Sequence, residues 1–560
     1  MTTDLAARLD VNAIDYTILG IYFAIVIAIG LLARRAVATS EDFFLSGRAL
    51  PAWVTGLAFV AANLGALEIL GMAANGAEYG ISTVHFYWIG AVPAMIFLGL
   101  VLMPFYYSTR VHSVPEYLRR RFNRPTHAFN ALTFAVASVL TAGVNLYALG
   151  LIIQSLLGWP LWLAIFVSAF FVLIYITLGG LSGAIYTEVL QFFVILAGLI
   201  PLVIVGLSAV GGWDGLKEQV SQNTELGGAA FSQWGGTAVG NATNPLGDWI
   251  GIVFGLGFVL SFGYWTTNFA EVQRALSAKD LSAAQRTPLI GAFPKIFIPA
   301  LTIIPGLVAL VLIPKLGQQG GPTYNDAIPE LMAKFLPNGV LGIALTGLLA
   351  AFMAGMAANV SSFNTVFTYD LWRPYVVKDR PDRYYLQVGR IITVIGILIG
   401  IGTAFIASGY ENIMNYVQAL FSFFNAPLFA TFIVGVFWKR MTPWAGFAGL
   451  VSGTAAAVLA YLSLNNKLGV PEIVYIESAQ SRNFWGAIAA FVVDVAVTVI
   501  VTMLTKPKPI DEVKGLVWGV PDPDNPDAAD AQNVRSWWES PKVLGFTALG
   551  ITAVLSVIFL

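Results

Sequence analysis

Ala61-Ala62-Asn63-Leu64-Gly65-Ala66-Leu67-Glu68-Ile69-Leu70-Gly71-Met72 is an apolar stretch that carries an amide and a carboxylate. A carboxylate at membrane depth costs a few kcal/mol or more, so it is retained chiefly where it faces a cavity or a partner. The glycines in the same run let a helix open and free its backbone carbonyls. Polar groups beside interrupted helix are what a solute and ion site at the bilayer midplane requires.

The rest of the chain supports a membrane setting. Of 560 residues, 57% are hydrophobic and only 11% charged, with mean hydropathy +0.75. A soluble domain of this length needs far more polar surface. The net charge of -1 argues against nucleic acid as a partner. With no cysteine, disulfides, thiolate metal sites and cysteine nucleophiles are excluded. The three histidines, at 85, 112 and 127, form no metal-binding pattern. No charged n-region or cleavage site marks the start as a removable signal, so the first apolar run is expected to be retained.

Uncharged runs of about 18 residues or more are long enough to cross a bilayer as helix. Such runs lie at 16–33 and 543–560, and between them predominantly apolar spans are expected near 51–74, 81–107, 128–157, 161–178, 184–208, 249–271, 288–314, 340–369, 387–409, 412–438, 443–464 and 483–504. The uncharged stretch 128–187 must contain two helices, broken at Gly158-Trp159-Pro160. Lysine and arginine provide an independent check, because short cytoplasmic loops retain positive charge. With the first span running inward, alternate loops hold 23 of the 30 positive residues. An even number of spans, 14, with both termini extracellular follows. Segment 209–248 is rich in Gly, Ser, Asn and Thr and is expected to form an extracellular cap; it contains the weak glycosylation pattern Asn241-Ala242-Thr243. Segment 505–541, with Pro-Asp-Pro-Asp-Asn-Pro-Asp, is expected to be a polar, partly disordered cytoplasmic linker.

Several motifs follow one another between about residues 40 and 440. They are Asp42-Phe43-Phe44-Leu45-Ser46-Gly47-Arg48, Ser113-Val114-Pro115-Glu116-Tyr117, and Gly179-Gly180-Leu181-Ser182 with Tyr186-Thr187-Glu188-Val189-Leu190-Gln191. Gln273-Arg274-Ala275-Leu276-Ser277-Ala278-Lys279, Phe367-Thr368-Tyr369-Asp370-Leu371 and Val436-Phe437-Trp438-Lys439 complete the series. Together they resemble the solute:sodium symporter family, and its bacterial-type sodium/glucose cotransporter branch in particular. The resemblance implies an all-α integral membrane protein of 14 transmembrane helices around an inverted 5+5 repeat core, the LeuT-like architecture. Its parts are expected at 1–50 (an extra helix and cytoplasmic linker), 51–208 (first repeat), 209–248 (loop), 249–438 (second repeat) and 439–560 (three accessory helices). Broken helices then fall near 61–72 and 256–268, and the second region is also glycine-rich (Gly255, Gly257, Gly263).

The resemblance also implies site residues. Asn63, Asn268, Lys295 and Gln418 match solute-contacting positions of sugar-transporting relatives. Amides and ammonium suit hydroxyls because they bond in fixed directions; interhelical hydrogen bonding is the structural alternative for each. Two positions depart from the pattern. Glu68 stands where relatives have glutamine, and Tyr87 where they have glutamate, so the carboxylate has changed helices. A buried Glu68–Lys295 ion pair is the alternative to a role in solute binding. The cation site implied by the resemblance uses backbone oxygens at Ala61, Leu64 and Ala351 plus two serines, but Ala354-Gly355 stands at the serine positions. Ser361 and Ser362 lie two turns along, about 10 Å away at the usual helix rise. Restoring both serines is expected to strengthen sodium dependence.

The coupling ion is therefore Na+ or H+, with Glu68, His85 and Glu188 as candidate relay groups. Packing in an aromatic cluster is the alternative for His85, and capping a helix N-terminus is the alternative for Glu188. The leading expectation is cation-coupled symport of a small polar solute, a sugar first, by a plasma-membrane carrier in the lipid bilayer without a cofactor. A proton-coupled or uncoupled carrier of a carboxylate or amine-bearing solute is a second reading, and a membrane solute sensor is a third. An enzyme is not expected, because no zinc-type His-Glu-x-x-His pair or serine–histidine arrangement is present.

Overall fold

The computed structural model describes residues 9–33, 46–109, 111, 113–224, 226–234, 244–520 and 536–558. The sequon at 241–243, the start of the 42–48 motif, His112 and the acidic Pro-Asp run of the linker lie outside these residues.

Every named element among the described residues is helical. Helix α1 (Ala13–Ala33) precedes the first broken pair, α2 (Ala52–Asn63) and α3 (Leu67–Val84). Next come α4 (Phe86–Tyr107), the short α5 (Val114–Arg121), α6 (Arg124–Leu157), α7 (Leu161–Ala209) and α8 (Gly212–Asn223). The second broken pair is α9 (Gly251–Thr267) and α10 (Phe269–Leu276). Helices α11 (Leu281–Leu312), α12 (Ala327–Phe335), α13 (Val340–Tyr375), α14 (Asp382–Ala407) and α15 (Ile413–Phe437) follow. The chain continues through α16 (Pro443–Leu464), α17 (Ala479–Leu504) and α18 (Pro541–Ile558).

The two expected breaks are present. The axis bends by 59° between α2 and α3 and by 48° between α9 and α10. Local chemistry explains several other boundaries. Gly158 adopts the left-handed conformation (φ 67°) that closes a helix, and its N–H bonds Gln154 O. Asn123 and Asp280 cap α6 and α11 by accepting backbone N–H bonds from Thr126 (3.0 Å) and Ala283 (2.6 Å).

Eleven helices are long and apolar enough to cross a membrane, and the two bent pairs raise the count to thirteen among the described residues. The difference from fourteen lies at 161–178. There the expected segment is continuous with the helix that follows it rather than a separate span. It forms the front of the same helical element, α7, that carries the expected span 184–208.

Burial separates core from accessory helices. Helices α6, α13 and α15 are mostly enclosed, whereas α1, α16, α17 and α18 expose most of their apolar surface. One peripheral helix thus precedes the core and three follow it. Part of segment 505–541 is packed rather than loose: Val513, Leu516 and Val517 are buried. Leu516 O accepts from the Tyr117 hydroxyl (2.5 Å), and Trp518 N–H bonds Val436 O (2.8 Å). Apolar side chains within the polar linker account for this packing.

Candidate solute and cation site

The break between α2 and α3 is a local rerouting of hydrogen bonds. In an unbroken helix the N–H groups of Gly65 and Glu68 would bond Ala61 O and Leu64 O. Here they bond Asn63 O (2.7 Å) and Gly65 O (3.1 Å). The carbonyls of Ala61 and Leu64 are thereby released, and both were expected to serve as cation ligands.

Asn63 ends α2 and faces a small buried cavity that its side chain helps organise. Lys295, rising from α11, donates to Asn63 Oδ1 and lies 2.6 Å from Glu68 Oε1. Its ammonium also stands 5.3 Å from the Tyr87 ring centre and 5.2 Å from that of Trp265. Both distances suit a cation–π contact. The Asn63 amide donates to the Tyr264 hydroxyl (3.0 Å), and that hydroxyl donates to Glu271 Oε1 (2.8 Å). A polar chain therefore joins the two broken helices through Asn63 and Tyr264.

Asn63, Glu68, Tyr87, Lys295 and Gln418 all line this cavity, together with Ser261, Tyr264, Trp265, Phe421 and apolar neighbours. Its volume is about 60 Å³, room for a few waters but not for a larger solute. Gln418 donates to the Met414 sulfur (3.4 Å). Asn268 is absent from the lining. Its side chain caps α10 by accepting from Ala270 N–H (3.0 Å).

The serine-less cation position is filled differently. Gly65, in the α2–α3 break, faces Gly355 of α13, and the Asn145 side chain of α6 packs against both. A Cβ on Gly65 would come within 2.5 Å of Asn145 Oδ1, and one on Gly355 within 2.4 Å. The same oxygen accepts from Ala66 N–H (2.9 Å), another donor left over by the break. Two freed carbonyls and one amide oxygen are therefore at hand, but no hydroxyl stands at 354 or 355. The Gly355→Ser change expected to restore a ligand instead collides with Asn145. Ser362 donates to Asn359 O (3.0 Å), within its own helix.

The other relay candidates lie outside the cavity. His85 is buried, with Nε2 2.7 Å from Gln233 O and its ring centre 4.4 Å from that of Trp234. A carbonyl only accepts, so Nε2 carries the hydrogen. Glu188 does not cap a helix, because α7 continues through it. It forms a fully buried bidentate pair with Arg274, whose Nε lies 3.2 Å from Oε2 and whose Nη2 bonds Oε1.

Sequence reasoning missed Asn145 and Glu271. The rule that singled out Glu68, a carboxylate inside apolar helix, applies equally to Glu271, which was assigned to the end of span 249–271.

A bundle with two broken helices and a polar cavity at their junction is the arrangement of a secondary membrane carrier. The profile of the sodium:solute symporter family matches residues 43–453, and the chain belongs to that family. The "Sodium/glucose cotransporter" of Vibrio parahaemolyticus is 29% identical over 80% of this chain and 84% of its own length. The mouse "Sodium/myo-inositol cotransporter 2" is 32% identical over 78% of this chain and 68% of its own. Among solved structures, a Na+-coupled sialic acid symporter in a substrate-bound outward-open state superposes with a TM-score of 0.72. That match is 18% identical and covers 89% of this chain and 99% of the other. Mhp1, a nucleobase-cation-symport-1 family transporter, matches at a TM-score of 0.52 and 15% identity, covering 85% and 97%. These structural matches establish the LeuT-like fold alone.

Proposed function

We propose that this protein imports a sugar or a similar polyhydroxylated solute together with sodium, by alternating access about the α2–α3 and α9–α10 breaks. The observation carrying this reading is the convergence of Asn63, Glu68, Lys295 and Gln418 on one buried cavity. Two amides, an ammonium and a carboxylate provide both donors and acceptors, as several hydroxyls on one ring require. The glucose and myo-inositol relatives support the same solute class. Asn268 acts in this reading as the hinge cap of α10 and reaches solute only if the cap opens.

The cavity as it stands is too small for a hexose, because the Lys295 ammonium rests on Glu68 and Asn63. Solute entry must displace that ammonium, so solute hydroxyls replace the contacts it gives up. Sodium, as co-substrate, takes the freed carbonyls of Ala61 and Leu64, with Ala351 opposite. The repeats span 51–208 and 249–438, and both termini face outward at the plasma membrane. The absence of hydroxyls at Ala354-Gly355 favours one second reading, in which a proton replaces sodium at a weakened site.

Uptake of labelled glucose and myo-inositol into proteoliposomes, with and without a sodium gradient, tests the proposal. Accumulation that collapses when the gradient is removed supports it. Saturable uptake indifferent to sodium supports the proton or uncoupled reading instead.

A further inference from the structure

Five ionisable side chains form one buried unit around the two breaks: Glu68, Glu188, Glu271, Lys295 and Arg274. All are at most 6% exposed. Three carboxylates face two cations. Lys295 is engaged by Glu68 and Asn63. Arg274 gives Nε and Nη2 to Glu188 and Nη1 to Ala270 O (2.6 Å). Glu271 is the carboxylate left over. Oε1 accepts from Tyr264, whereas Oε2 is buried with no hydrogen-bond partner.

A full charge on that group leaves an ionised oxygen buried without a donor, which is costly in a low-dielectric interior. The charged groups facing Glu271 are Lys295 of α11, Glu188 of α7 and Arg274 of its own helix; Tyr264 of α9 is the titratable hydroxyl. Asn63 of α2 reaches this unit through the Tyr264 hydroxyl, and Thr365 of α13 accepts from Gln273 of α10 (2.9 Å). One proton on Oε2 balances the unit and turns the orphaned acceptor into a hydroxyl.

We propose that Glu271 is a proton-binding site one hydrogen bond below the solute cavity, and that Tyr264 ties its proton to solute occupancy. The Tyr264 hydroxyl accepts from Asn63 and donates to Glu271. When solute hydroxyls take over Asn63 and Lys295, the Lys295 ammonium loses contacts and moves relative to Glu271. The charge balance at Oε2 shifts with it, and the proton is retained or released on the far side of the α9–α10 break. No covalent bond other than O–H changes, and water supplies or accepts the proton. This site is separate from the carbonyls assigned to sodium. Its link to solute rests on the transport reading above, but the existence of the site does not.

The first test therefore needs no solute. Infrared difference spectra of purified wild type and Glu271→Gln, in H2O and D2O at neutral pH, should show a neutral carboxylic acid carbonyl band. That band should be sensitive to deuteration and missing in the variant. Tyr264→Phe should keep the band and shift it, because the hydrogen bond to Oε1 is lost. Absence of the band from wild type, its persistence in Glu271→Gln, or its replacement by a sodium-dependent carboxylate signal overturns the proposal. In proteoliposomes with an internal pH dye, glucose or myo-inositol should drive internal acidification, reduced about tenfold or more in Glu271→Gln. Solute uptake by wild type without acidification overturns the coupling. If neither solute moves, the transport reading fails while the infrared result still decides the site.

Discussion

Lys295 and Glu68 meet at 2.6 Å inside the cavity beside the first helix break, and both side chains are almost wholly buried. The pair joins α11 to the first residues after the α2–α3 break, so in the proposed function helix packing and solute recognition share the same atoms. Removing one partner strands the other charge, at a cost of about 3–5 kcal/mol for a buried pair. Lys295→Ala should therefore lower both thermal stability and apparent solute affinity. Glu68→Gln with Lys295→Met should recover much of the stability without recovering affinity. A double-mutant cycle read by thermal unfolding and by uptake separates the two roles. Unchanged affinity in both single variants would remove these residues from the solute site.

Gly355 and Asn145 make the cation position resistant to simple repair. A serine at 355 places its Cβ 2.4 Å from Asn145 Oδ1, and overpacking of this kind costs about 1–3 kcal/mol. Ala354→Ser with Gly355→Ser should destabilise the protein without increasing its stabilisation by sodium. Adding Asn145→Ala opens the space, and sodium should then raise the melting temperature more than it does in wild type. Greater sodium stabilisation in the double variant alone would show that Asn145 yields readily.

Glu188 and Arg274 test the same logic on the far side of the second break. Arg274→Met strands the buried Glu188 carboxyl without its cation or its two donors, whereas Glu188→Gln leaves a guanidinium that still bonds the Ala270 carbonyl. We expect the arginine variant to unfold at a lower temperature than the glutamine variant in the same detergent. The reverse order would mean that Arg274 finds no compensation at Ala270.

Asn268 caps α10, and loss of such a cap costs about 1 kcal/mol. Asn268→Ala should lower stability by that order and leave apparent solute affinity within about twofold. Asn268→Asp, which keeps the acceptor, should restore stability. A tenfold loss of affinity in both variants would return Asn268 to the solute site.

Much of this arrangement was legible in the sequence because its signals are local. Asn63, two glycines and Glu68 within a dozen apolar residues mark a break, and Gly158-Trp159-Pro160 ends a helix by backbone chemistry alone. Lys295 stands out as a charge inside a span. Other features depend on long-range geometry. The Asn145 contact exists only because two residues without Cβ, 290 positions apart, meet where the α2–α3 break faces α13. Glu271 passed unnoticed because its partner Tyr264 is linked to Asn63 only after both helices break. Segment 161–178 was expected as a span of its own because composition does not show that its helix runs on unbroken into 184–208. Leu516 and Val517 lie in a segment that looks polar on average, and their burial depends on Tyr117 and Val436 being nearby.

The most direct measurement of the central claim is solute uptake by purified protein in liposomes under an inward sodium gradient, for wild type and Lys295→Ala side by side. Wild type should accumulate glucose or myo-inositol above equilibrium and lose that accumulation when sodium is replaced by potassium. Lys295→Ala should need at least about tenfold more solute, equivalent to about 1.4 kcal/mol, for the same rate. Sodium-indifferent uptake by wild type, or equal solute demand in the two proteins, would contradict sodium-driven transport through the Asn63–Glu68–Lys295 cavity.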